Sequence, residues 1–375
     1  MKKQITLLLL LFSTILCAQK LTVVVSNPSN SIRVNETVEI PWKKVISTLN
    51  TTSKDHLVVI DSKGKEYPSQ IIYEGNKEPQ KLIFQVSMDS QKSITLKIKK
   101  GSPQKYETKT YGRFVPERKD DYAWENDRVA FRIYGPALIK SDGPSNGIDV
   151  WCKRTDKMIV DLRYEKELSG KGTYHTDWGD GLDMYKVGRT LGAGAMAPFT
   201  NDSLWLASNF STQETLDNGP IRTTFRLTYL PFDVNGKLVS EIRTISLDAG
   251  SQLNKIVEQY SNVTIAMTVA AGIVKREKGD SIAIDFNKKY AIYFEPKSKK
   301  DGVIYLAIVS ANPWGDIKST RNHILAATNY LPNTKLEYYT GYGWSKWGFP
   351  TPTSWVEYIK EYTRKLQTPL NVSIK

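Results

Sequence analysis

The sequence predicts an all-β fold, an N-terminal Ig-like β-sandwich followed by a large two-sheet β-sandwich. Three observations lead to this prediction. Most apolar residues stand in short runs of strand-like length, several of which alternate apolar and polar positions. Gly, Pro, Asn and Ser clusters separate these runs. Helical patterning is confined mainly to one segment near the C terminus, TSWVEYIKEYTRKLQ. We therefore expect two β domains and few helices.

Residues 1–18 are interpreted as a secretory signal peptide. They combine a basic start, a short apolar run and a small-residue exit. The apolar run is too short to span a bilayer. Cys17 raises the alternative of a lipoprotein, but Leu16 stands where a lipobox prefers a small residue, which favours cleavage near Ala18. We expect an exported protein, periplasmic or secreted, without membrane insertion.

The charge and cysteine content restrict the partners and the chemistry. The formal charge of +13 falls by two when Lys2 and Lys3 leave with the signal peptide, and the mature chain remains basic. Only Cys152 then remains, which excludes a disulfide framework. No nucleic-acid-binding motif is present. An anionic oligosaccharide is the partner that best fits an exported basic protein, although the charge alone could simply favour solubility. Nothing in the sequence indicates an oligomeric state.

Residues 19–105 are expected to form the Ig-like sandwich. The segments KLIFQV and SITLKIK alternate, and the turn-forming clusters SNPSNS, DSKGKE and YEGNKEP separate the predicted strands. The alternation places two sets of apolar residues on inward faces: Leu82, Phe84 and Val86, and Ile94, Leu96 and Ile98. A polar stretch with two prolines, GSPQKYETKTYGRFVPERKDD, is interpreted as a linker.

Residues 106–375 are expected to form one large catalytic sandwich. No internal repeat or heptad pattern is present, and the length suits a single two-sheet domain. The predicted strands include VAFRIYG, SLWLASNF, RTTFRLTYLPF, EIRTISL, NKIVEQYS, SIAIDF, YAIYF and VIYLAIVSA.

The glycine-rich run YHTDWGDGLDMYKVGRTLGAGAM, residues 174–196, is the first candidate site. Its glycines permit tight folding around a ligand. A calcium site formed by Asp177, Asp180 and Asp183 is one alternative, and a zinc site formed by His175, Asp177 and the distant His323 is a weaker one. A hydrogen-bonded loop without catalytic duty is a third. The requirement for a metal ion or other cofactor therefore stays open.

Two further segments carry candidate residues. In YAWENDRVAFRIYGPAL, residues 122–138, alternation places Arg128, Ala130 and Arg132 on one face of a strand and Val129, Phe131 and Ile133 on the other. A buried Arg132 needs an anionic partner, either a substrate carboxylate or Glu125 and Asp127. In YYTGYGWSKWGF, residues 338–349, aromatic rings are suited either to stacking on sugars or to a strand core.

Several ordered motifs are similar to those of a known family. YAWENDRVAFRIYGPAL, SNGIDVWCKR, YHTDWGDGLDMYKVGRTLGAG, RNHILAATNY and YYTGYGWSKWG resemble segments of the oligosaccharide dehydratases associated with ulvan breakdown, long known only as a domain of unknown function. The resemblance extends from about Tyr122 to the C terminus and more loosely over the N-terminal part. It implies a supersandwich like those of mutarotases and polysaccharide lyases. It also implies removal of water from a non-reducing-end glucuronic or iduronic acid, which leaves a 4,5-unsaturated uronate.

This reaction requires a base, an acid and cations. The C5 proton lies next to a carboxylate, so arginines should neutralise the developing charge, and Arg132 and Arg189 are the candidates. We assign His175 as base and Tyr185 as acid, with His323 as the substitute for either. Asp177 or Asp180 would orient the imidazole. The expected substrate contacts are Arg132, Asp177, Asp180 and three aromatic residues, Trp178, Tyr342 and Trp344.

Three other functions stay open. A polysaccharide lyase would expel a sugar at C4 instead of water. A glycan-binding protein would leave its ligand chemically unchanged, and the concentration of His, Tyr and Arg in the glycine-rich loop argues against it. A mutarotase-type epimerase is the most distant alternative.

Overall fold

The computed structural model describes residues 19–50 and 56–375. The expected signal peptide, residues 1–18, lies outside the described residues and stays a prediction. Antiparallel strands dominate the described part of the chain, so the prediction of an all-β fold is confirmed. None of the described helices has the length and apolar character needed to cross a membrane.

Two facing sheets and one helix form the N-terminal sandwich. The elements are β1 (Lys20–Ser26), β2 (Arg33–Pro41), α1 (Trp42–Leu49), β3 (Leu57–Asp61), β4 (Glu66–Tyr67), β5 (Ser69–Ile72), β6 (Lys81–Met88) and β7 (Ser93–Lys100). One sheet has the order β2-β6-β5, and the other contains β1-β7-β3-β4. The predicted inward residues of β6 and β7 contribute to a common apolar core. The immunoglobulin-like topology itself stays a prediction.

A five-stranded sheet follows and supports the candidate site. It has the order β12-β11-β10-β9-β8, and α3 lies against it. The elements of this region are β8 (Thr110–Val115), β9 (Asp121–Asn126), β10 (Ala130–Ile133), a 3-10 turn (Pro136–Leu138), α2 (Ile139–Asp142), β11 (Asp149–Lys153), α3 (Val160–Leu168) and β12 (Gly181–Asp183).

The two faces of this β8–β12 sheet differ in chemistry. The inner face contributes Trp124 and Phe131 to the large apolar core. The outer face carries a small cluster that includes Ala130, Trp151 and Tyr164, the last from α3. Phe131 and Ala130 thus point in opposite directions, as the alternation predicts. Arg132, two residues after Ala130 on the same strand, therefore also lies on the outer face, the face that packs against α3.

The remaining strands complete the large sandwich. They are β13 (Ala193–Thr200), β14 (Ser203–Leu204), β15 (Thr212–Asp217), β16 (Arg222–Thr228), β17 (Phe232–Val234), β18 (Lys237–Asp248), β19 (Leu253–Ser261), β20 (Met267–Val274), β21 (Ser281–Ile284), β22 (Tyr290–Phe294), β23 (Ile304–Val309), β24 (Asp316–Ser319), β25 (His323–Tyr330), β26 (Leu336–Trp344) and β27 (Asn371–Ile374), with α4 (Pro352–Gln367) before the last strand. One sheet has the order β14-β13-β20-β25-β24. A nine-stranded sheet contains β15-β16-β18-β19-β26-β23-β22-β21, with β17 paired to β18.

Three details depart from the sequence-based expectations. The segment interpreted as a linker contains strand β8, Thr110–Val115, which pairs with β9. Strand β27 pairs with β1, so the last strand of the chain joins the sheet of the N-terminal sandwich. The division expected at residue 105 would have placed this strand in the large sandwich. The segment SLWLASNF forms only the short strand β14. Its later carbonyl groups, those of Leu206 and Ala207, instead accept hydrogen bonds from the Arg189 guanidinium.

Helix α4 confirms the predicted C-terminal helix. Thr351 and Ser354 form a capping box at its first turn. Pro352 occupies the first turn, where the backbone amide has no hydrogen-bond partner within the helix, so the missing amide proton is tolerated. Its apolar side packs through Trp355 and Ile359 on the outer face of the nine-stranded sheet. Strand β26 is therefore covered on both faces, because the large apolar core lies on its other side.

Candidate active site

The His175 imidazole lies at the protein surface and is held by Asp183. Its Nδ1 is 2.9 Å from the Asp183 carbonyl oxygen and 3.7 Å from the Asp183 Oδ2, and its side chain is 60% exposed. A carbonyl oxygen can only accept, so the Nδ1 proton is donated to it and Nε2 carries the lone pair. Within the described part of the chain, no hydrogen bond uses Nε2. The Nε2 lone pair of His175 is therefore available to a proton donor from outside the chain.

Asp183 is in turn bound to a buried arginine. The Nη2 of Arg132 lies 2.8 Å from the Asp183 Oδ2 and 2.6 Å from the Asp149 Oδ2, and its Nε also donates to Asp149. Arg132 faces Asp149 directly across β10 and β11, while Asp183 lies on the next strand. The aromatic rings of Tyr134 and Trp151 lie within 5 Å of the guanidinium carbon.

This arrangement corrects the expected partners of Arg132. Glu125 and Asp127 do not contact it: Glu125 pairs with Lys153 at 2.7 Å, and Asp127 accepts from the Gly250 amide at 2.6 Å. The register of β10 and β11 determines the partner of Arg132, because it places Asp149 directly opposite Arg132 on the neighbouring strand. With two carboxylates already bound, Arg132 orders the site and is not free for a substrate carboxylate.

Burial shapes the electrostatics of this network. Burial and the neighbouring Asp183 carboxylate raise the pKa of Asp149, against the opposing effect of Arg132. Burial alone would lower the pKa of Arg132, but the carboxylates of Asp149 and Asp183 raise it well above its usual value. Arg132 is therefore permanently charged, and it keeps Asp183 fixed beside His175.

The aspartates expected to orient the imidazole have other roles. Asp177 Oδ1 accepts from the amides of Gly179 and Gly181 at 2.9 and 3.2 Å, and Asp177 Oδ2 is 3.0 Å from Arg154. The Asp180 Oδ1 lies 3.5 Å from the Arg163 guanidinium, and the Asp180 carbonyl accepts from the Arg154 amide. The assignment of Asp177 or Asp180 to orient His175 was therefore wrong; Asp183 does so.

The loop conformation that produces this arrangement depends on one glycine. Gly181 has a φ of +109°, and a Cβ there would lie 2.1 Å from the Cys152 carbonyl oxygen. Only glycine permits β12 to pair so closely with β11.

The sequence left calcium and zinc sites open as alternatives. Residues 19–50 and 56–375 contain no group of three or more His, Cys, Asp or Glu side chains suited to hold a metal ion.

Trp178 occupies the surface of the same loop. The indole is 52% exposed, and its Nε1 donates to the Thr173 carbonyl at 3.0 Å. The Nζ of Lys166 lies 4.5 Å from the ring centre. The ring is therefore fixed in orientation and accessible, which is what stacking on a sugar requires.

Tyr185 and Arg189 lie apart from His175. Burial raises the pKa of Tyr185 well above its usual value, and the carboxylate of Glu295 adds to this effect. The guanidinium of Arg276, 4.8 Å from the ring, favours the ionised phenol but does not reverse this rise in the pKa. Arg189 donates to the carbonyls of the segment after β14. No contact within the described chain joins the His175, Tyr185 and Arg189 side chains.

Three other candidates are structural. The buried Tyr342 hydroxyl donates to the Trp151 carbonyl at 2.7 Å, and the Nε1 of the buried Trp344 donates to the Asp301 carbonyl at 2.8 Å. These two residues do not offer a surface to a sugar, because β26 is covered on both faces. The buried His323 accepts the Leu191 amide proton at its Nε2. It anchors the glycine-rich loop to β25.

We expect His323 to make stability dependent on pH. Burial lowers its pKa to about 4, whereas an unfolded histidine titrates near 6.5. Between these two pH values the imidazole is protonated in the unfolded chain but neutral in the folded chain. The free energy of unfolding should therefore decrease as the pH falls from 6.5 to 4. The full shift corresponds to about 3 kcal/mol. His323→Gln, which keeps an acceptor, should show a smaller loss in urea unfolding across this window. An identical loss in both proteins would contradict this role.

The family model described as a domain of unknown function, DUF4861, matches residues 25–372. A curated relative from Formosa agariphila, "Uncharacterized protein P7", is 36% identical over 282 residues. That alignment covers 71% of this chain and 70% of the relative.

Two solved structures from Enterococcus faecalis share the fold. One is an alpha-mannosidase from strain V583, with a TM-score of 0.53, and the other is a protein in glycosyl hydrolase family 38, with a TM-score of 0.55. Each is 10% identical to this chain. The similarity covers 95% of this chain but only 46% and 47% of theirs, so the chain spans slightly less than half of either protein. At this identity, the likeness concerns the fold alone.

Proposed function

The chain belongs to the DUF4861 family, and we propose that it is an oligosaccharide dehydratase acting on the non-reducing-end uronic acid of anionic oligosaccharides such as ulvan fragments. Its resemblance to the ulvan oligosaccharide dehydratases motivates the reaction. The likeness of its fold to that of an alpha-mannosidase supports a carbohydrate as substrate by analogy only.

The observation that carries this proposal is the exposed His175 with its Nδ1 proton bound to Asp183. Nε2 takes the proton from C5, and the electron pair left behind forms the C4–C5 double bond. The C4–O bond breaks, and the hydroxyl group leaves with a proton as water. The imidazolium formed at His175 is stabilised by the nearby Asp183 carboxylate.

A half-buried phenol adjoins this network and is our choice for the acid. The Tyr134 hydroxyl contacts both Asp149 Oδ2 and Arg132 Nη2. Burial and the Asp149 carboxylate raise the pKa of Tyr134, so it keeps its proton until the hydroxyl group departs. Tyr185, the acid expected from the sequence, is buried and contacts neither group.

Lys166 is our choice for neutralising the uronate carboxylate. Among the described residues, the Lys166 Nζ contacts the Trp178 ring and forms no ion pair with an acid. Its positive charge can therefore bind a substrate carboxylate beside the exposed loop. Arg189 and Arg132, the earlier candidates, are occupied by carbonyl groups and by aspartates.

Replacing Trp178 with alanine is expected to raise KM by about 3- to 10-fold, the effect of losing one aromatic contact. The turnover number should change little, because the indole does not touch the reacting groups. Initial rates across a substrate series would measure both constants. Trp205→Ala, which removes a half-buried indole outside the loop, is the matched control. An unchanged KM in Trp178→Ala would contradict a stacking role.

A polysaccharide lyase is the second candidate. The exposure of His175 and Trp178 supports it, since neither side chain is enclosed by a wall that would restrict binding to a chain end. Dehydratase and lyase both produce an unsaturated uronate.

The reaction class can be tested with a panel of oligosaccharides. Ultraviolet absorbance of the unsaturated product should rise with uronate-containing substrates and stay flat with neutral mannose oligosaccharides. Release of sugar from the neutral substrates would instead indicate a glycosidase and contradict the proposal. Binding of the acidic substrates without any product would indicate a glycan-binding protein.

A further inference from the structure

A phenylalanine protrudes from the turn between β21 and β22. Phe286 is 97% exposed, at the centre of a turn closed by the Lys288 amide, which donates to the Asp285 carbonyl at 2.9 Å. Turns of this type are stable with polar residues at the central positions. The fold therefore gives no reason for a large apolar side chain here, and a binding role explains it.

A polar cavity of about 330 Å³ adjoins this turn and separates it from α4. Its lining includes three cations and two amides, together with the ring of Tyr290: Asn287, Lys289, Lys360, Arg364 and Gln367. Asp285 is the only acid among the lining residues, and its Oδ2 already accepts from the Lys289 amide. The lining is therefore cationic.

The cations of this cavity are available to an external anion. Lys360 and Arg364 form ion pairs on the helix surface with Glu357 and Glu361, and such exposed pairs are weak. The structure gives Lys289 no ion pair within the described residues. A carboxylate or sulfate entering the cavity would therefore bind cations without breaking a buried network.

We propose that Phe286 and this cavity form a second binding site, separate from His175, for an acidic oligosaccharide. The ring stacks on the apolar face of a sugar, the cations bind its carboxylate or sulfate, and the amides bind its hydroxyl groups. The site lies between the nine-stranded sheet and α4, whereas His175 lies on the β8–β12 sheet. The choice of ligand rests on the proposed function, but binding here requires no catalysis.

The test measures binding in the His175→Ala protein, in which the substrate is not consumed. A purified sulfated, uronate-containing ulvan oligosaccharide is titrated by calorimetry, and migration is compared in native gels with and without ulvan polysaccharide. Phe286→Ala and Lys289→Ala, each added to His175→Ala, should weaken binding at one class of sites by about 3- to 10-fold. Leu238→Ala and Lys63→Ala remove another exposed apolar side chain and one surface charge elsewhere, and they serve as matched controls.

The outcomes separate this inference from the catalytic proposal. Weaker binding in both site variants, with the controls unchanged, supports the second site even if the wild-type protein converts no substrate. Unchanged binding in Phe286→Ala would overturn it, even if the dehydratase reaction is observed. A change in oligomeric state caused by Phe286→Ala, without a change in binding, would also overturn it and assign the ring to self-association.

Discussion

Replacing His175 with alanine is expected to lower kcat by about 10²- to 10⁴-fold, the contribution of one positioned proton-transfer group. The side chain is 60% exposed, so the variant should remain folded and its stability should change by only about 0.5 kcal/mol. Rates of product formation with an acidic oligosaccharide, together with thermal unfolding, would measure both effects.

His56 provides the matched control for this substitution. It is an exposed histidine at the start of β3, in the N-terminal sandwich. His56→Ala should therefore retain wild-type turnover. A His175→Ala protein with wild-type turnover would eliminate the imidazole as base and would require the catalytic group to be found elsewhere.

Replacing Arg132 with methionine is expected to cost about 3–5 kcal/mol of folding free energy, because it leaves buried carboxylates without their cation. Arg132 is 2% exposed and binds both Asp149 and Asp183. Turnover should also fall, since Asp183 would no longer be fixed beside His175. Denaturant unfolding would measure the free energy of unfolding.

A triple variant distinguishes unpaired charge from lost packing. Arg132→Met combined with Asp149→Asn and Asp183→Asn removes the cation and both charges, so it should recover part of the lost stability. Arg154→Met, which breaks the ion pair of a partly exposed arginine with Asp177, is the matched control and should cost about 1 kcal/mol or less. An Arg132→Met protein as stable as the wild type would contradict the role of Arg132 as the centre of the network.

Strand periodicity made much of the fold accessible from the sequence. The alternation in residues 129–133 correctly placed Phe131 in the large core and Arg132 on the opposite face. The apolar spacing near the C terminus likewise identified α4. These predictions succeeded because side-chain direction in a strand or helix depends on local backbone geometry alone.

The partners of the site residues depended on pairing between strands, which local sequence does not contain. Asp183 rather than Asp177 reaches His175 because the loop turns back at Gly181 and pairs β12 with β11. Similarly, Tyr342 and Trp344 are buried because β26 turns these side chains into the large apolar core, where Phe131 of the distant strand β10 packs against Tyr342. The composition of the glycine-rich run indicated a candidate site but not its geometry.

The central claim is that His175 acts as a base in the elimination of water from an acidic sugar. The most direct test is the mass of the product that the wild-type protein forms from a purified oligosaccharide with a uronic acid at its non-reducing end. The account predicts a single product that is lighter by one water and retains every sugar of the substrate. A product shortened by one or more sugars, or a substrate of unchanged mass after prolonged incubation, would contradict it.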